Sequence, residues 1–131
     1  MQGKIKILIV EDETITLMNL VHVMEKEGYE VVGKSSGPSA LKILEEQEFA
    51  AVLTDIMMEE VNGIQVLRRC KELYPNTEVI MMTGYTKAEA EVSAMENGAF
   101  HYFVKPLELD EVIKVVKEAV EKVRLKKKNI Y

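Results

Sequence analysis

Five short apolar segments alternate with five stretches of helical periodicity, and this alternation constrains what the chain can fold into. The apolar segments are four to six residues long and rich in β-branched residues, which predicts strands over residues 5–10, 30–34, 50–54, 79–82 and 100–104. Apolar residues at spacings of three and four predict helices over residues 14–27, 36–47, 62–73, 87–96 and 109–123. Strands that alternate with helices through short connections form a parallel sheet covered on both faces. The sequence therefore predicts a doubly wound α/β domain.

The helical stretches differ in the strength of their apolar faces. The last one has the most regular face, with apolar residues at positions 109, 112, 113, 116, 120 and 123. The fourth has only a weak face, formed chiefly by Val92 and Met95. We expect both faces to pack on the sheet.

Length and composition describe one domain and exclude several classes of protein. The chain has 131 residues, of which 47% are hydrophobic and 30% charged, as in ordinary globular domains. We expect the domain to cover residues 1–125, with a basic tail or the start of a linker over residues 126–131. The net charge of -5 argues against direct binding of nucleic acid.

The cysteine content and the N-terminal sequence bear on location. Cys70 is the one cysteine, so an intrachain disulfide is excluded and a reducing, cytoplasmic setting is expected. The first apolar run is too short for a signal peptide or a membrane span. We therefore expect no membrane partner.

Polar residues follow four of the five predicted strands at the point where each strand ends. Glu11 and Asp12 follow the first strand, and Asp55 follows the third. Thr83 follows the fourth strand, and Lys105 follows the fifth. The carboxyl ends of parallel strands meet at one edge of the sheet, which is where such sheets bind ligands. We therefore expect these five side chains to share one site.

Three of these residues are acids, and their convergence predicts a divalent cation. Neighbouring carboxylates raise each other's pKa unless a cation lies between them. Oxygen ligands without cysteine or histidine favour Mg²⁺, which binds one or two carboxylates directly and keeps several waters. We expect Asp12 and Asp55 to be direct ligands and Glu11 to bind partly through water. The backbone carbonyl of Met57 would supply a further oxygen.

Asp55 is the residue that we expect to be chemically modified. Formation of an aspartyl phosphate is a recognised form of covalent catalysis. The transferred phosphoryl group carries charge on its equatorial oxygens, so catalysis consists mainly of positioning and charge neutralisation. Lys105 would neutralise one oxygen as a point charge, and the Thr83 hydroxyl with nearby backbone N–H groups would bind another. These residue types suffice to gain and hold a phosphoryl group.

Four motifs lie in order at the predicted strand ends. They are Ile7-Leu8-Ile9-Val10-Glu11-Asp12-Glu13, Leu53-Thr54-Asp55-Ile56-Met57-Met58 with Asn62-Gly63, Met81-Met82-Thr83-Gly84, and Tyr102-Phe103-Val104-Lys105-Pro106. With these motifs the chain resembles, over about residues 4–124, the receiver domain of two-component response regulators, the fold of the chemotaxis response regulator. The resemblance implies a flavodoxin-like three-layer sandwich with a five-stranded parallel sheet of order 2-1-3-4-5.

The resemblance also implies a signalling function. A partner histidine kinase would transfer a phosphoryl group to Asp55, and the domain would catalyse only its own phosphorylation and slow dephosphorylation. Thr83 would move towards the phosphate, and the ring of Tyr102 would swing inward. This would remodel the face made by the fourth helix, the fifth strand and the fifth helix, where family members dimerise or bind an output partner. Phosphate added beside a two-state element is a recognised kind of switch.

The chain departs from the family pattern after the phosphoacceptor. The family usually has proline four residues after the phosphorylated aspartate, whereas this chain has Glu59 followed by Glu60. The loop loses a fixed φ angle, and we expect Glu59→Pro to change Mg²⁺ affinity or phosphorylation rate. Met57 and Tyr85 are bulky and lie near Asp55 in the family geometry, so we expect them to slow hydrolysis of the phosphate.

Other functions share part of this pattern. An aspartate-nucleophile phosphatase of the haloacid dehalogenase type places a second aspartate where this chain has Met57. A flavodoxin-like FMN carrier needs a hydroxyl-rich loop where this chain has Glu11-Asp12-Glu13. A receiver that acts only as a non-phosphorylated docking module would not need Asp55, Thr83 and Lys105 together. The chain is either a complete regulator that binds a separate output protein or the receiver of a longer regulator with its own output domain.

Overall fold

The strands form one parallel sheet in the computed structural model, which describes residues 4–84 and 88–128. They are β1 Lys6–Val10, β2 Glu30–Lys34, β3 Ala51–Asp55, β4 Glu78–Thr83 and β5 His101–Val104. All four neighbouring pairs are parallel, and the strand order is β2-β1-β3-β4-β5. The predicted fold class and strand order are confirmed.

A helix follows each strand. The helices are α1 Thr14–Lys26, α2 Gly37–Glu46, α3 Gly63–Leu73, α4 Ala88–Glu96 and α5 Leu109–Lys128. α5 continues beyond residue 125, where we placed the end of the domain, and the division into a domain and a tail stays a prediction. Of the helices in the described residues, none combines the length and the apolar character needed to cross a membrane.

Two apolar layers bury the sheet. α1 and α5 cover one face, where Ile9 of β1 belongs to the same cluster as Val116 of α5. α2, α3 and α4 cover the other face, where Leu8 of β1 clusters with Leu67 of α3. Successive strand residues point to opposite faces, so a strand buried on both sides is apolar almost throughout. This explains the unbroken apolar runs of β1 and β3.

Local signals set the helix ends close to the predicted positions. α1 ends before Gly28, whose φ of +96° is an angle that glycine adopts without steric cost. The Ser36 side chain caps α2 by accepting a hydrogen bond from the Ser39 N–H at 3.2 Å. Asn62 and Gln65 form a reciprocal capping box at the start of α3, with N···O distances of 3.1 and 2.9 Å. The caps of α2 and α3 both lie at the carboxyl edge of the sheet.

The prediction that the Val92 and Met95 face of α4 packs on the sheet is wrong. Val92 is 53% exposed and Met95 is 47% exposed, whereas Ala94 is fully buried. Alanine is small, so it lets a short helix lie close to the sheet, but the sequence pattern gives more weight to the larger residues. α4 and the neighbouring strand therefore present apolar side chains to solvent.

Candidate functional site

The carboxyl ends of β1 and β3 bring three acidic side chains together. One carboxylate oxygen from each of Glu11, Asp12 and Asp55 lies within 4.8 Å of the other two. Glu11 and Asp55 are buried, whereas Asp12 is exposed. The Glu13 N–H donates to Glu11 Oε2 at 3.1 Å, which holds the Glu11 side chain in place. The cluster therefore has two buried acids and one that is open to solvent.

Lys105 bridges the two buried acids. Its ammonium donates a hydrogen bond to Asp55 Oδ2 at 3.0 Å and another to Glu11 Oε1. Its backbone N–H donates to the Thr83 carbonyl at 2.8 Å, just beyond the end of β5. Burial lowers the pKa of Lys105, but the hydrogen bonds to Glu11 and Asp55 outweigh burial and hold the pKa above its ordinary value. Lys105 is therefore a fixed positive charge at neutral pH.

The pKa of Asp12 indicates that Lys105 alone does not neutralise the acidic cluster. Partial burial raises the pKa of Asp12, and the neighbouring Glu11 carboxylate raises it further. Lys105 lowers the pKa of Asp12 to a smaller extent. A divalent cation would relieve the remaining repulsion, and three carboxylates fit a hard ion such as Mg²⁺.

The loop after β3 contacts the Asp55 side chain directly. The Met57 N–H donates to Asp55 Oδ1 at 3.3 Å, so among the described residues each Asp55 oxygen accepts at least one hydrogen bond. The Ile56 N–H donates to the Met82 carbonyl at 2.9 Å and ties the start of the loop to β4. The Met57 side chain is 58% exposed and lies on the open side of the site. The Met57 carbonyl stays a predicted metal ligand.

Thr83 lies at the same edge as Asp55. Asp55 is opposite Met82 in the register of β3 and β4, and Thr83 is the next residue and the last of β4. Thr83 is opposite Val104 on β5 and is almost fully buried. The sheet therefore places Thr83 between the ends of the strands that carry Asp55 and Lys105.

Tyr102 lies further from the edge than Thr83. It is opposite Met81 on β4 and packs, half-buried, against the apolar cluster on the face covered by α2, α3 and α4. Burial raises the pKa of Tyr102, and Glu91 on α4 raises it further. Tyr102 therefore packs with the apolar cluster on the side of the sheet that α4 covers.

Of the other residues that we singled out, Tyr85 lies outside the described residues. Glu59 and Glu60 are exposed, and Glu60 has a φ of +64°. Non-glycine residues rarely adopt such an angle. The loop in which Glu59 replaces the family proline is therefore strained at Glu60.

Sequence reasoning missed the part that Gly63 plays in the site. A Cβ atom on Gly63 would lie 2.1 Å from the Asp55 carbonyl oxygen and 2.8 Å from Ile56 Cα. The Gly63 N–H donates to the Ile56 carbonyl at 2.9 Å. The lack of a side chain lets α3 begin directly against the strand end that bears Asp55. The Asn62-Gly63 pair carries this signal, but the pattern alone indicates only a helix cap.

The strand order and the polar strand ends match one protein family. The model of the family described as "Response regulator receiver domain" matches residues 7–117, which is most of the chain. The chain belongs to this family. The matched range of this receiver domain includes the three acids of the cluster as well as Thr83 and Lys105.

Curated relatives of the receiver domain are response regulators. The transcriptional regulatory protein ZraR of Salmonella typhimurium is 34% identical over 123 residues, which is 94% of this chain and 28% of ZraR. The putative response regulator NtrX-like of Rickettsia felis is 34% identical over 131 residues, which is 98% of this chain and 27% of that protein. The receiver domain thus spans less than a third of the length of these relatives.

Solved structures have the same fold as the receiver domain. The CheY-like receiver domain from Methanospirillum hungatei JF-1 aligns with a TM-score of 0.91 and 30% identity, covering 95% of this chain and 99% of that one. The beryllofluoride-activated NtrC4 receiver domain, which is a dimer, aligns with a TM-score of 0.84 and 27% identity over 90% of this chain and 98% of that one. The chain is therefore a receiver domain of a two-component response regulator and has a signalling role.

Proposed function

We propose that Asp55 of this receiver domain accepts a phosphoryl group from the phosphohistidine of a partner histidine kinase. An Asp55 carboxylate oxygen attacks phosphorus, so that a P–O bond to Asp55 forms while the P–N bond to the donor histidine breaks. The donor imidazole takes up a proton and leaves as the neutral base. The observation that carries this proposal is the Lys105 ammonium, which bridges Glu11 and Asp55 within the acidic cluster.

Each residue of the cluster has a role in this transfer. Lys105 holds Asp55 Oδ2 before the reaction and then neutralises a phosphoryl oxygen, since its charge is fixed beside the acceptor. The Thr83 hydroxyl donates to a second phosphoryl oxygen. Asp12 and Asp55 as direct ligands, with Glu11 partly through water and the Met57 carbonyl, would hold Mg²⁺, which would neutralise charge on the phosphoryl group. The domain is therefore a phosphoacceptor and not an enzyme for small substrates. The single cysteine, Cys70, fits action in the reducing cytoplasm.

The output of the switch is the face made by α4, β5 and α5. Phosphorylation of Asp55 draws Thr83 towards the phosphate, and Tyr102 follows inward. On this face Val92, Met95 and Val104 are exposed apolar side chains, and such side chains mark binding surfaces when they occur together. The face then binds an output protein, an output domain or a second copy of the chain, and the dimeric NtrC4 receiver supports the last of these.

The proposal is tested by intact-mass measurement after incubation with Mg²⁺ and acetyl phosphate, a small phosphodonor. Wild type should gain the mass of one phosphoryl group, and Asp55→Asn should gain none. Asp110→Asn is a matched control, because Asp110 is an exposed aspartate in the first turn of α5. Phosphorylation of Asp55→Asn to the level of Asp110→Asn would show that Asp55 is not the acceptor.

A further inference from the structure

The loop between Asp55 and α3 is attached to the protein mainly at its two ends. Ile56 is bound to β4, and Gly63 is bound back to Ile56. Between them, the hydrogen bonds given by the described residues are local: Met57 N–H donates to Asp55 Oδ1, Val61 N–H donates to the Glu59 carbonyl at 2.7 Å, and Asn62 exchanges hydrogen bonds with Gln65 at the start of α3. The middle of the loop contacts Asp55 and, in the proposed function, supplies a metal ligand. Because its hydrogen bonds are local, its position depends on packing against the rest of the protein.

Gly37 provides one close packing contact with this loop. A Cβ atom on Gly37 would lie 2.3 Å from the Val61 carbonyl oxygen, 2.5 Å from Val61 Cβ and 2.9 Å from Val61 Cγ1. The φ angle of Gly37 is not in the left-handed region, so the backbone conformation does not require glycine. Space requires it, because Val61 rests directly on the Gly37 backbone.

The start of α2 is the rigid partner in this contact. The Ser39 N–H donates to Ser36 Oγ at 3.2 Å, and the Ser39 hydroxyl donates to the Ser36 carbonyl at 2.9 Å. One turn later Ala40 is fully buried in the core cluster. In the loop, Asn62 beside Val61 is held by its capping box with Gln65, whereas Glu60 on the other side of Val61 is exposed. A larger residue at position 37 should therefore displace the Glu60 side of the loop rather than the helix.

We infer that Gly37 is a positioning residue for the phosphoacceptor loop: it sets the place of Val61 and thereby of the Met57 backbone beside Asp55. The role depends on the proposed function, because it concerns Mg²⁺ and phosphoryl binding at that loop. Ordinary contact begins near 3.4 Å, so an added Cβ requires a shift of about 1 Å in a close-packed region. A misplacement of about 1 Å can cost up to about 10²-fold in rate.

Gly37→Ala tests this role, with Gly33→Ala as the matched control. Gly33 lies on the neighbouring strand β2, and a Cβ there would meet only the ends of the Val21 and Leu17 side chains, at 3.1 and 3.3 Å. We expect Gly37→Ala to bind Mg²⁺ about tenfold more weakly and to be phosphorylated by acetyl phosphate about tenfold more slowly. The NMR amide signals of residues 56–62 should shift before Mg²⁺ is added. Gly33→Ala should leave the Mg²⁺ affinity, the phosphorylation rate and these amide signals unchanged.

Val61→Ala approaches the same contact from the loop and carries less risk of misfolding, because Val61 is half-buried. It removes the side-chain atoms that rest on Gly37, so Mg²⁺ affinity should again fall. Val32→Ala is its control, since Val32 is half-buried against the same core cluster but lies on β2.

The two proposals fail in different ways. If wild type is phosphorylated, and both variants keep wild-type Mg²⁺ affinity and unshifted loop signals, the positioning role of Gly37 is wrong and the phosphoacceptor function stands. If wild type gains no phosphoryl group, the function is wrong, and the loop signals and the Mg²⁺ titration still decide the positioning role.

Discussion

Lys105 is the residue on which the electrostatics of the site depend. Its side chain is 24% exposed, and its ammonium lies between a fully buried Glu11 and a nearly buried Asp55. Removal of one partner from a buried ion pair is costly because the other charge is left without compensation. The same ammonium therefore stabilises the unphosphorylated fold and, in the proposed function, also neutralises the incoming phosphoryl group.

We predict that Lys105→Met lowers the free energy of unfolding by about 2 kcal/mol in the absence of Mg²⁺, a value reduced from that of fully buried pairs because Lys105 is partly exposed. Saturating Mg²⁺ should narrow the difference, since a bound cation takes over part of the neutralisation. Urea unfolding with EDTA and with Mg²⁺ measures the loss of stability and its reduction by the cation. Lys114→Met, at an exposed position of α5, is the control and should show neither effect.

Glu60 offers a second prediction at the residue scale. Its φ of +64° costs a non-glycine residue about 1 kcal/mol, which glycine avoids. Glu60→Gly should therefore stabilise the protein, or at least not destabilise it, by thermal unfolding. Glu59→Gly, at the neighbouring position without positive φ, should destabilise it through the greater entropy of the unfolded chain. Equal melting temperatures for the two variants would show that Glu60 is not strained.

At the scale of elements, a buried glutamate ties α5 to the edge of the sheet opposite the site. Glu78 begins β4 and is 2% exposed. Lys71 of α3 donates to Glu78 Oε1 at 3.1 Å, and Lys122 and Lys126 of α5 lie 2.8 and 3.7 Å from Oε2. Burial raises the pKa of Glu78, but the ion pair with Lys122 and the hydrogen bond from Lys71 outweigh burial and hold the pKa below its ordinary value.

The lowered pKa of Glu78 predicts a dependence of stability on pH. A carboxylate with a folded-state pKa below its unfolded value stabilises the fold above the unfolded pKa, near 4.5, and loses this contribution as pH falls through the folded-state pKa. Glu78→Gln should therefore be less stable than wild type by about 1–2 kcal/mol at pH 7. The difference should shrink below pH 4.5.

Urea unfolding of both proteins from pH 7 to pH 3 measures this difference, because other titrating groups are common to the two. Glu118→Gln, on the exposed side of α5, controls for the loss of one negative charge. A difference between wild type and Glu78→Gln that stays constant with pH would contradict a stabilising role for the ionised Glu78.

The Glu78 contacts also show what the sequence could not predict about the elements. Apolar periodicity predicted α5 as far as residue 123, and the structure continues it to Lys128 through a charged segment. Two lysines of the last turns reach Glu78, a contact that depends on tertiary structure and leaves no local pattern. The strands, by contrast, could be predicted, because burial on both faces demands an unbroken apolar run.

The site, too, has features that the sequence predicts and features that it does not. Residues that follow a strand can be assigned to the carboxyl edge from sequence, which is why Glu11, Asp12 and Asp55 come together as predicted. The sharing of Lys105 between two acids could not be predicted, because it depends on the depth of each side chain. The approach of Gly37 to Val61 could not be predicted either, because it joins the start of α2 to a loop with which it shares no sequence pattern.

At the scale of the whole molecule, the exposed apolar side chains include two groups on separate faces. Ile15 and Met18 lie on α1, whereas Val92 and Met95 lie on α4, with Val104 on the adjacent strand. α1 and α4 cover opposite faces of the sheet. The proposed switch acts on the second face, because Tyr102 packs against the same cluster as Ala94 of α4. A state that depends on phosphorylation should therefore be sensitive to α4 and insensitive to α1.

We predict that Mg²⁺ and beryllofluoride, which imitate the phosphorylated aspartate, shift the domain from monomer to dimer in sedimentation velocity. Met95→Lys should weaken this dimer at least about tenfold, since a charge buried in an apolar interface without a partner is costly. Met18→Lys is the matched control, because it makes the same change at an exposed position on α1. Both variants should still be phosphorylated at Asp55. A dimer lost in Met18→Lys and kept in Met95→Lys would move the interface to α1, because only the face that forms the contact is sensitive to the added charge.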